Sequence, residues 1–363
     1  MHIAFDYQIF LSQKYGGISR YHVELGKELK KIDCRVDFIS PFFINQYLKN
    51  IEGDNIFGKY ISSLPPKSTR VLTFLSNILF VKYLKTHNPD LIHNTYYRTP
   101  YFQQKDLPSI LTIHDMIHEL YPKSFPADDK TIELKKRAIN DADHIICISK
   151  NTYNDLLNIY DVPENKVSVI YHGFNNIVRK VETEVNEEKP YLLYVGSRKG
   201  YKNFNALLEA YSFSENLKKD FDIICFGGGS FTKQDMNEFS KLGVQNKIHF
   251  KTGDDALLSA YYSNAKAFVY PSLYEGFGMP PLEAMANNCP VIVSNSSSIP
   301  EVVGEAGEYF DPNDEENLLN KIEQVVYSNS VRIKLIKLGR NRLEKFDWIK
   351  CARETKKVYE KLI

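Results

Sequence analysis

Little in this chain of 363 residues points to a secreted, metal-bound or membrane-spanning protein. Its five cysteines, Cys34, Cys147, Cys225, Cys289 and Cys351, are odd in number and scattered, with no C-x-x-C pair. That argues against a disulfide framework or a zinc site and suits buried thiols in a reducing compartment. A charge of one sign is also missing: the net charge is +1 with 25% charged residues, without the basic excess a nucleic-acid binder normally shows. Long apolar runs are absent, the mostly apolar uncharged run 71–81 being too short to cross a bilayer. The opening MHIAFDYQIF carries Asp6 and no extended apolar core, so no signal peptide is expected and the protein is read as cytoplasmic. The dinucleotide pattern G-x-G-x-x-G does not occur.

What the chain does have is length for two domains of ordinary size and short apolar runs alternating with helical patterns, the sequence form of parallel sheets covered by helices. Strands are expected at 2–5, 35–39, 91–93, 109–114, 144–148 and 167–170, then at 191–195, 222–226, 247–251, 267–270 and 290–293. The polar stretch 171–190 reads as the linker between two doubly wound, Rossmann-like α/β domains, 1–175 and 176–346. Ligands of such sheets bind at the carboxyl ends of the strands. The 13% aromatic residues mostly serve the core, with some available to stack on bases or sugars.

The densest chemistry follows the run AFVY at 267–270. PSLYEGFGMPPLEAMANNCP, residues 271–290, places two carboxylates, three backbone amides and a helix start at a strand end. Gly276 and Gly278 are read as positive-φ turn residues around Phe277, and Pro280 and Pro281 as a first helical turn in a helix of 280–287. The helix N-terminus then faces the turn and favours an anion or sugar hydroxyls. Glu283 fits the first helical turn for electrostatic reasons alone. Glu275 neither caps the helix nor meets an obvious cation, and a carboxylate can accept two hydroxyl protons of a vicinal diol.

Three other strand ends carry candidates. QKYGGISR puts Gly16 and Gly17 at a strand-to-helix turn, where backbone can approach a phosphate or an acceptor, although glycine there also serves purely steric ends. TIHDMIH ends a strand with His114 and Asp115; a histidine so placed is often only a hydrogen-bonding residue. His118 stands four residues from His114, but no other ligand cluster supports a metal. GSRKGYKN sets Arg198 and Lys202 four apart after Gly196, a natural clamp for a diphosphate, with a solvated loop as the plain alternative. Gly227, Gly228 and Gly229 could cradle phosphate or form a simple tight turn. Asp141 and Asp143 read as turn chemistry, and Glu301 as a residue that fixes a loop or helix start.

The Glu-x7-Glu arrangement in EGFGMPPLE resembles the signature of the retaining family 4 glycosyltransferases, which have the two-domain GT-B fold, and the other motifs match that family along most of the chain. The resemblance implies two Rossmann-like domains facing across a cleft. In it, Glu275 holds hydroxyls of the donor sugar, Gly276, Phe277 and Gly278 line the donor, and Glu283 binds the ribose. It places His114 near the donor sugar, Arg198 and Lys202 on the leaving nucleoside diphosphate, and Gly16 and Gly17 beside the diphosphate and the acceptor. FDW at 346–348 and the helix 347–363 resemble the closing helix that returns to the first domain. The implied donor is a GDP- or UDP-linked hexose, mannose by likeness to O-antigen and capsule enzymes. The implied acceptor is a glycan or lipid-linked glycan. No metal cofactor is implied, because two protein cations serve the diphosphate. The segment 67–85, apolar with Lys and Arg at its ends, reads as a helix buried in the first domain or as a peripheral membrane contact. A nucleotide-sugar epimerase and an inactive sugar-nucleotide-binding subunit remain alternatives.

Overall fold

The structure, a computed structural model, describes residues 1–51, 56–97, 107–174, 185–198 and 200–363. They form two compact units, 1–173 with 346–363, and 174–345. Of the expected linker, residues 175–184 lie outside the described residues, as does Lys199.

In the first unit seven parallel strands follow the order β3-β2-β1-β4-β5-β6-β7. They are β1 (His2–Phe5), β2 (Arg35–Phe43), β3 (Ile56–Tyr60), β4 (Leu91–Asn94), β5 (Ser109–Ile113), β6 (His144–Cys147) and β7 (Val167–Val169). Most are short continuous apolar runs because both faces of a doubly wound sheet are covered. The edge strand β3 was not expected. Three of its five residues are exposed, so no apolar run announces it, and the ladder from β2 shifts register between Ile39 and Phe42, around Pro41, which has no N–H to give. The helix Trp348–Tyr359, capped by Asp347, packs into this unit: Tyr359 bonds His93 at 2.6 Å, and the Trp348 ring lies 4.7 Å from that of His172. Gly173 is required beneath it, since a Cβ there would meet Trp348 at 2.3 Å.

The second unit has six parallel strands in the order β10-β9-β8-β11-β12-β13. These are β8 (Tyr191–Val195), β9 (Asp222–Phe226), β10 (Ile248–Lys251), β11 (Ala267–Tyr270), β12 (Val291–Ser294) and β13 (Gly307–Phe310). β13, GEYF, was also missed; it is an edge strand with only Phe310 fully buried. All four residues of β11 are at most 1% exposed, each large apolar one contributing roughly 1.5–3 kcal/mol of burial. In both sheets the strand order reverses once, between β1 and β4 and between β8 and β11. Such a switch point opens a crevice at the carboxyl ends of its two strands.

The helix Thr69–His87 is not wholly buried. Ser76, Asn77, Phe80, Tyr83 and Leu84 face the core, while Val71, Leu75 and Ile78 are 59%, 40% and 42% exposed. Among the described residues no helix is long and apolar enough to cross a membrane.

Candidate functional site

β8 and β11 are neighbours at the switch point of the second sheet, so the loops that follow them start side by side. The amide of Leu273 donates to the carbonyl of Tyr201 at 2.7 Å, tying the two loops together. That bond brings Lys202 and Glu275 into contact: Nζ lies 2.6 Å from Oε1, with the side chains 19% and 10% exposed. The expectation that Glu275 meets no cation is therefore corrected. The two residues are 73 apart in sequence, and only the parallel pairing of their strands reveals the pair. Lys202 also lies over the rings of Tyr201 and Tyr270, at 5.3 and 5.5 Å. Burial, then the neighbouring Glu275 carboxylate, pushes the Tyr270 phenol well above its usual range, so it stays protonated beside the pair.

The turn around Glu275 is held by a serine run that the sequence reading passed over. Ser297 accepts from the Glu275 amide at 2.8 Å, and the Ser298 hydroxyl donates to the carbonyls of Glu275 and Phe277 at 2.8 and 3.0 Å. The signal was SNSSS at 294–298, small hydroxyl residues at the end of buried β12. Of the two turn glycines only Gly278 has positive φ, at 102°; the expectation for Gly276 is corrected. Gly278 is the N-cap of the helix Met279–Ala286. The helix begins a residue earlier than expected, so Glu283 is its fifth residue and the first turn holds no acid. Prolines at the second and third positions remove two of the four amides a helix N-terminus leaves unpaired, a weaker anion site than the motif suggested. Glu283 sits 3.4 Å from the Tyr262 hydroxyl.

Arg198, in the loop after β8, is 9% exposed. Its guanidinium donates to the carbonyls of Gly227, Gly229 and Ser230 at 3.2, 2.7 and 3.1 Å. Gly227, Gly228 and Gly229 have φ of 75°, 72° and 83°, a run of left-handed residues only glycine adopts cheaply. The turn therefore presents carbonyls to a cation where a phosphate cradle would present amides.

In the first unit, Gly17 opens the helix Gly17–Lys31 and Gly16 is its extended N-cap. A Cβ on Gly17 would meet nothing within 4 Å, so that backbone can be approached. His114 follows β5 and is 7% exposed. Its amide donates to the Tyr97 hydroxyl at 3.5 Å, and its ring packs edge-on against Tyr21 and His22, at 5.0 and 5.8 Å. Nε2 is buried without a hydrogen-bond partner among the described residues, so within them His114 is not a fully satisfied core histidine. His93 and His172 complete a buried group of four. Burial first, then the other imidazoles, holds His22 and His114 well below the usual histidine range, while burial takes His93 to about 3 and His172 to about 4. These imidazoles are neutral at any physiological pH.

Asp115 accepts from the Ile117 amide at 3.1 Å. Beneath it Lys135, fully buried, donates to the Asp115 carbonyl at 3.0 Å and to Glu119 at 2.8 Å. His118 stacks on Phe125 at 3.8 Å. Among the described residues no three His, Cys, Asp or Glu side chains are grouped to hold a metal. Asp143 accepts from the Ser109 amide at 2.8 Å, which ties the start of β6 to that of β5 and is not the local turn contact expected.

Two parallel sheets, with charged groups at the switch point of one and imidazoles at the edge of the other, agree with what the chain matches. Residues 15–176 match the model described as Glycosyltransferase Family 4, and residues 177–342 that described as Glycosyl transferases group 1. The chain belongs to this family of glycosyltransferases and has its GT-B fold. It is 30% identical over 248 residues to the O-antigen chain mannosyltransferase RfbU of Salmonella typhimurium, covering 67% of this chain and 66% of that protein. To the O-antigen chain mannosyltransferase B of Escherichia coli it is 25% identical over 95% of this chain and 96% of that one. A glycosyltransferase from Rickettsia africae superposes with a TM-score of 0.76 at 19% identity, over 99% of this chain and 98% of the other.

Proposed function

We propose that this glycosyltransferase moves a hexose, mannose, from a nucleoside diphosphate sugar to a hydroxyl of a glycan or lipid-linked glycan in surface polysaccharide synthesis. The observation that carries the reading is the contact of Lys202 and Glu275 at the switch point, with Arg198 in the same loop after β8. Arg198 is buried and no carboxylate lies within ion-pair distance of it among the described residues, which suits an anion brought by the substrate. Mannose is favoured by the two O-antigen mannosyltransferases to which the chain is similar. The base is guanine or uracil.

In this reading the diphosphate is met by Arg198 and Lys202, Glu275 accepts hydroxyl protons of the sugar and Glu283 takes the ribose. In the same reading His114, neutral and with Nε2 unpartnered among the described residues, offers a hydrogen bond to the sugar, and the Gly16–Gly17 backbone serves the diphosphate and the acceptor. The configuration at the anomeric carbon is retained. The departing diphosphate takes the acceptor proton as the two cations stabilise its growing charge. No divalent cation is required; activity lost to a chelator and restored by magnesium would contradict this. The enzyme works in the cytoplasm, at the inner face of a membrane. That contact is supported by exposed Val71, Leu75 and Ile78 on a stretch where residues 56–89 carry Lys59, Lys67, Arg70, Lys82 and Lys85 and no carboxylate.

A thermal-shift screen of nucleotide sugars tests the donor. Ligands that bind only the folded state raise its melting temperature, so GDP-mannose should give the largest rise among GDP- and UDP-linked hexoses. No shift with any nucleotide sugar would overturn the reading.

A further inference from the structure

Arg198 has five N–H donors in a fixed plane. Nη1 donates to Gly227, and Nη2 spends both its hydrogens on Gly229 and Ser230. The two hydrogens that remain, on Nε and Nη1, lie on different edges of the guanidinium, and Nε is buried with no partner among the described residues. A phosphate gripped by two parallel N–H bonds uses two hydrogens of one edge. It can therefore take Arg198 in that way only when the turn gives up a carbonyl. The same guanidinium lies 4.9 Å from the centre of the Phe231 ring and 6.0 Å from that of Phe250. Phe231 is itself fixed edge-on against Phe239, at 5.0 Å. Gly228 seats the turn against the loop that carries Arg198, since a Cβ there would meet the Gly196 carbonyl at 2.2 Å.

We infer that Phe231, with the Gly227–Ser230 turn, is the positioning element of Arg198. The ring holds the guanidinium plane, and the turn's carbonyls occupy its donors until an anion replaces one or more of them. The diphosphate thus finds a cation already immobilised, with its orientation set by the ring and not by the ligand. This rests on the reading that Arg198 meets the donor's diphosphate. Nothing in this device needs the sugar or the acceptor, so it can be tested with the product alone.

The test is a double-variant cycle read as dissociation constants for GDP and for UDP by calorimetry. Phe231→Leu should weaken the diphosphate that binds the wild type by about tenfold, the scale of a partly desolvated cation–π contact. Phe231→Tyr keeps the ring face and should stay within about twofold of wild type. Placed on Arg198→Ala, Phe231→Leu should change nothing, because no guanidinium remains to be held. Gly229→Ala approaches the device from the other side: its methyl would meet nothing within 4 Å, but the residue disfavours φ of 83°, so it disturbs the carbonyl without touching the ring. It too should weaken binding only when Arg198 is present. Wild-type affinity in Phe231→Leu, or an equal loss with and without Arg198, would overturn the positioning role while leaving the diphosphate reading intact. Wild-type affinity in Arg198→Ala would overturn that reading itself.

Discussion

The two units share one architecture and carry opposite chemistry at their carboxyl edges. Eight of the nine histidines, all but His249, fall in the first unit, and four of them are buried together and neutral. The second unit collects Arg198, Lys202 and Glu275, charged groups whose partners are each other or backbone carbonyls. A neutral imidazole edge can orient hydroxyls but cannot hold a dianion. A charged edge can hold a diphosphate and stabilise it as it leaves. Under the proposed function, a division of labour between donor and acceptor sides would follow from side-chain chemistry on two sheets of the same plan.

Four experiments can break or sharpen that contrast. The largest effect is expected in the first unit, where Lys135→Met would leave the Glu119 carboxylate, 5% exposed, without its cation. The loss should be about 3–5 kcal/mol, typical of breaking a buried pair from one side, measured by chemical denaturation. A loss below 1 kcal/mol would show that this network does not support the His114–Asp115 turn.

Next comes acid. His93 and His172 have folded pKa values of about 3 and about 4 against 6.5 unfolded. The unfolded chain takes up their protons first as the pH drops, so the stability they contribute is complete above 6.5 and is lost towards 4 and 3. Between pH 7 and 5 each should cost about 2 kcal/mol. The single tryptophan, Trp348, packs on His172 and reports on this unit alone. Its fluorescence midpoint in denaturant should fall steeply over that range. A flat midpoint would mean that the imidazoles are solvated.

On the charged edge, Glu275→Gln should lower transfer roughly 10- to 100-fold, the value of a hydrogen bond to a charged acceptor, with little change in melting temperature. Normal turnover with a lost melting temperature would make Glu275 structural. Glu283→Gln is expected to act least, raising the donor dissociation constant severalfold without changing turnover at saturation. A fall in saturated turnover would move Glu283 closer to the reacting centre.

Much of this was legible in the sequence because buried parallel strands are short apolar runs, and the residues following them are the edge. AFVY at β11 and YLLYV at β8 announced both loops of the charged site. What the sequence could not show was pairing across distance. Lys202 and Glu275 meet only because β8 and β11 are neighbours, and the glycines at 227–229, which could cradle phosphate or form a simple tight turn, carry no sign that the carbonyls of Gly227 and Gly229 face Arg198. The strands β3 and β13 escaped because edge strands need no continuous apolar run. The histidine group escaped because its members come from a helix, two strand ends and the loop after β7, with no common period. The helix start at Met279 differed by one residue, enough to move Glu283 out of the first turn.

The central claim is that Arg198 and Lys202 together hold the leaving diphosphate, and turnover in a double-variant cycle tests it most directly. Arg198→Ala and Lys202→Met should each lower turnover of the nucleotide sugar by about 10²–10³. The double variant should be little worse than the poorer single one, because the two cations serve one anion. Losses that multiply, with affinity for the nucleoside diphosphate unchanged in all three variants, would contradict the account and place the diphosphate elsewhere.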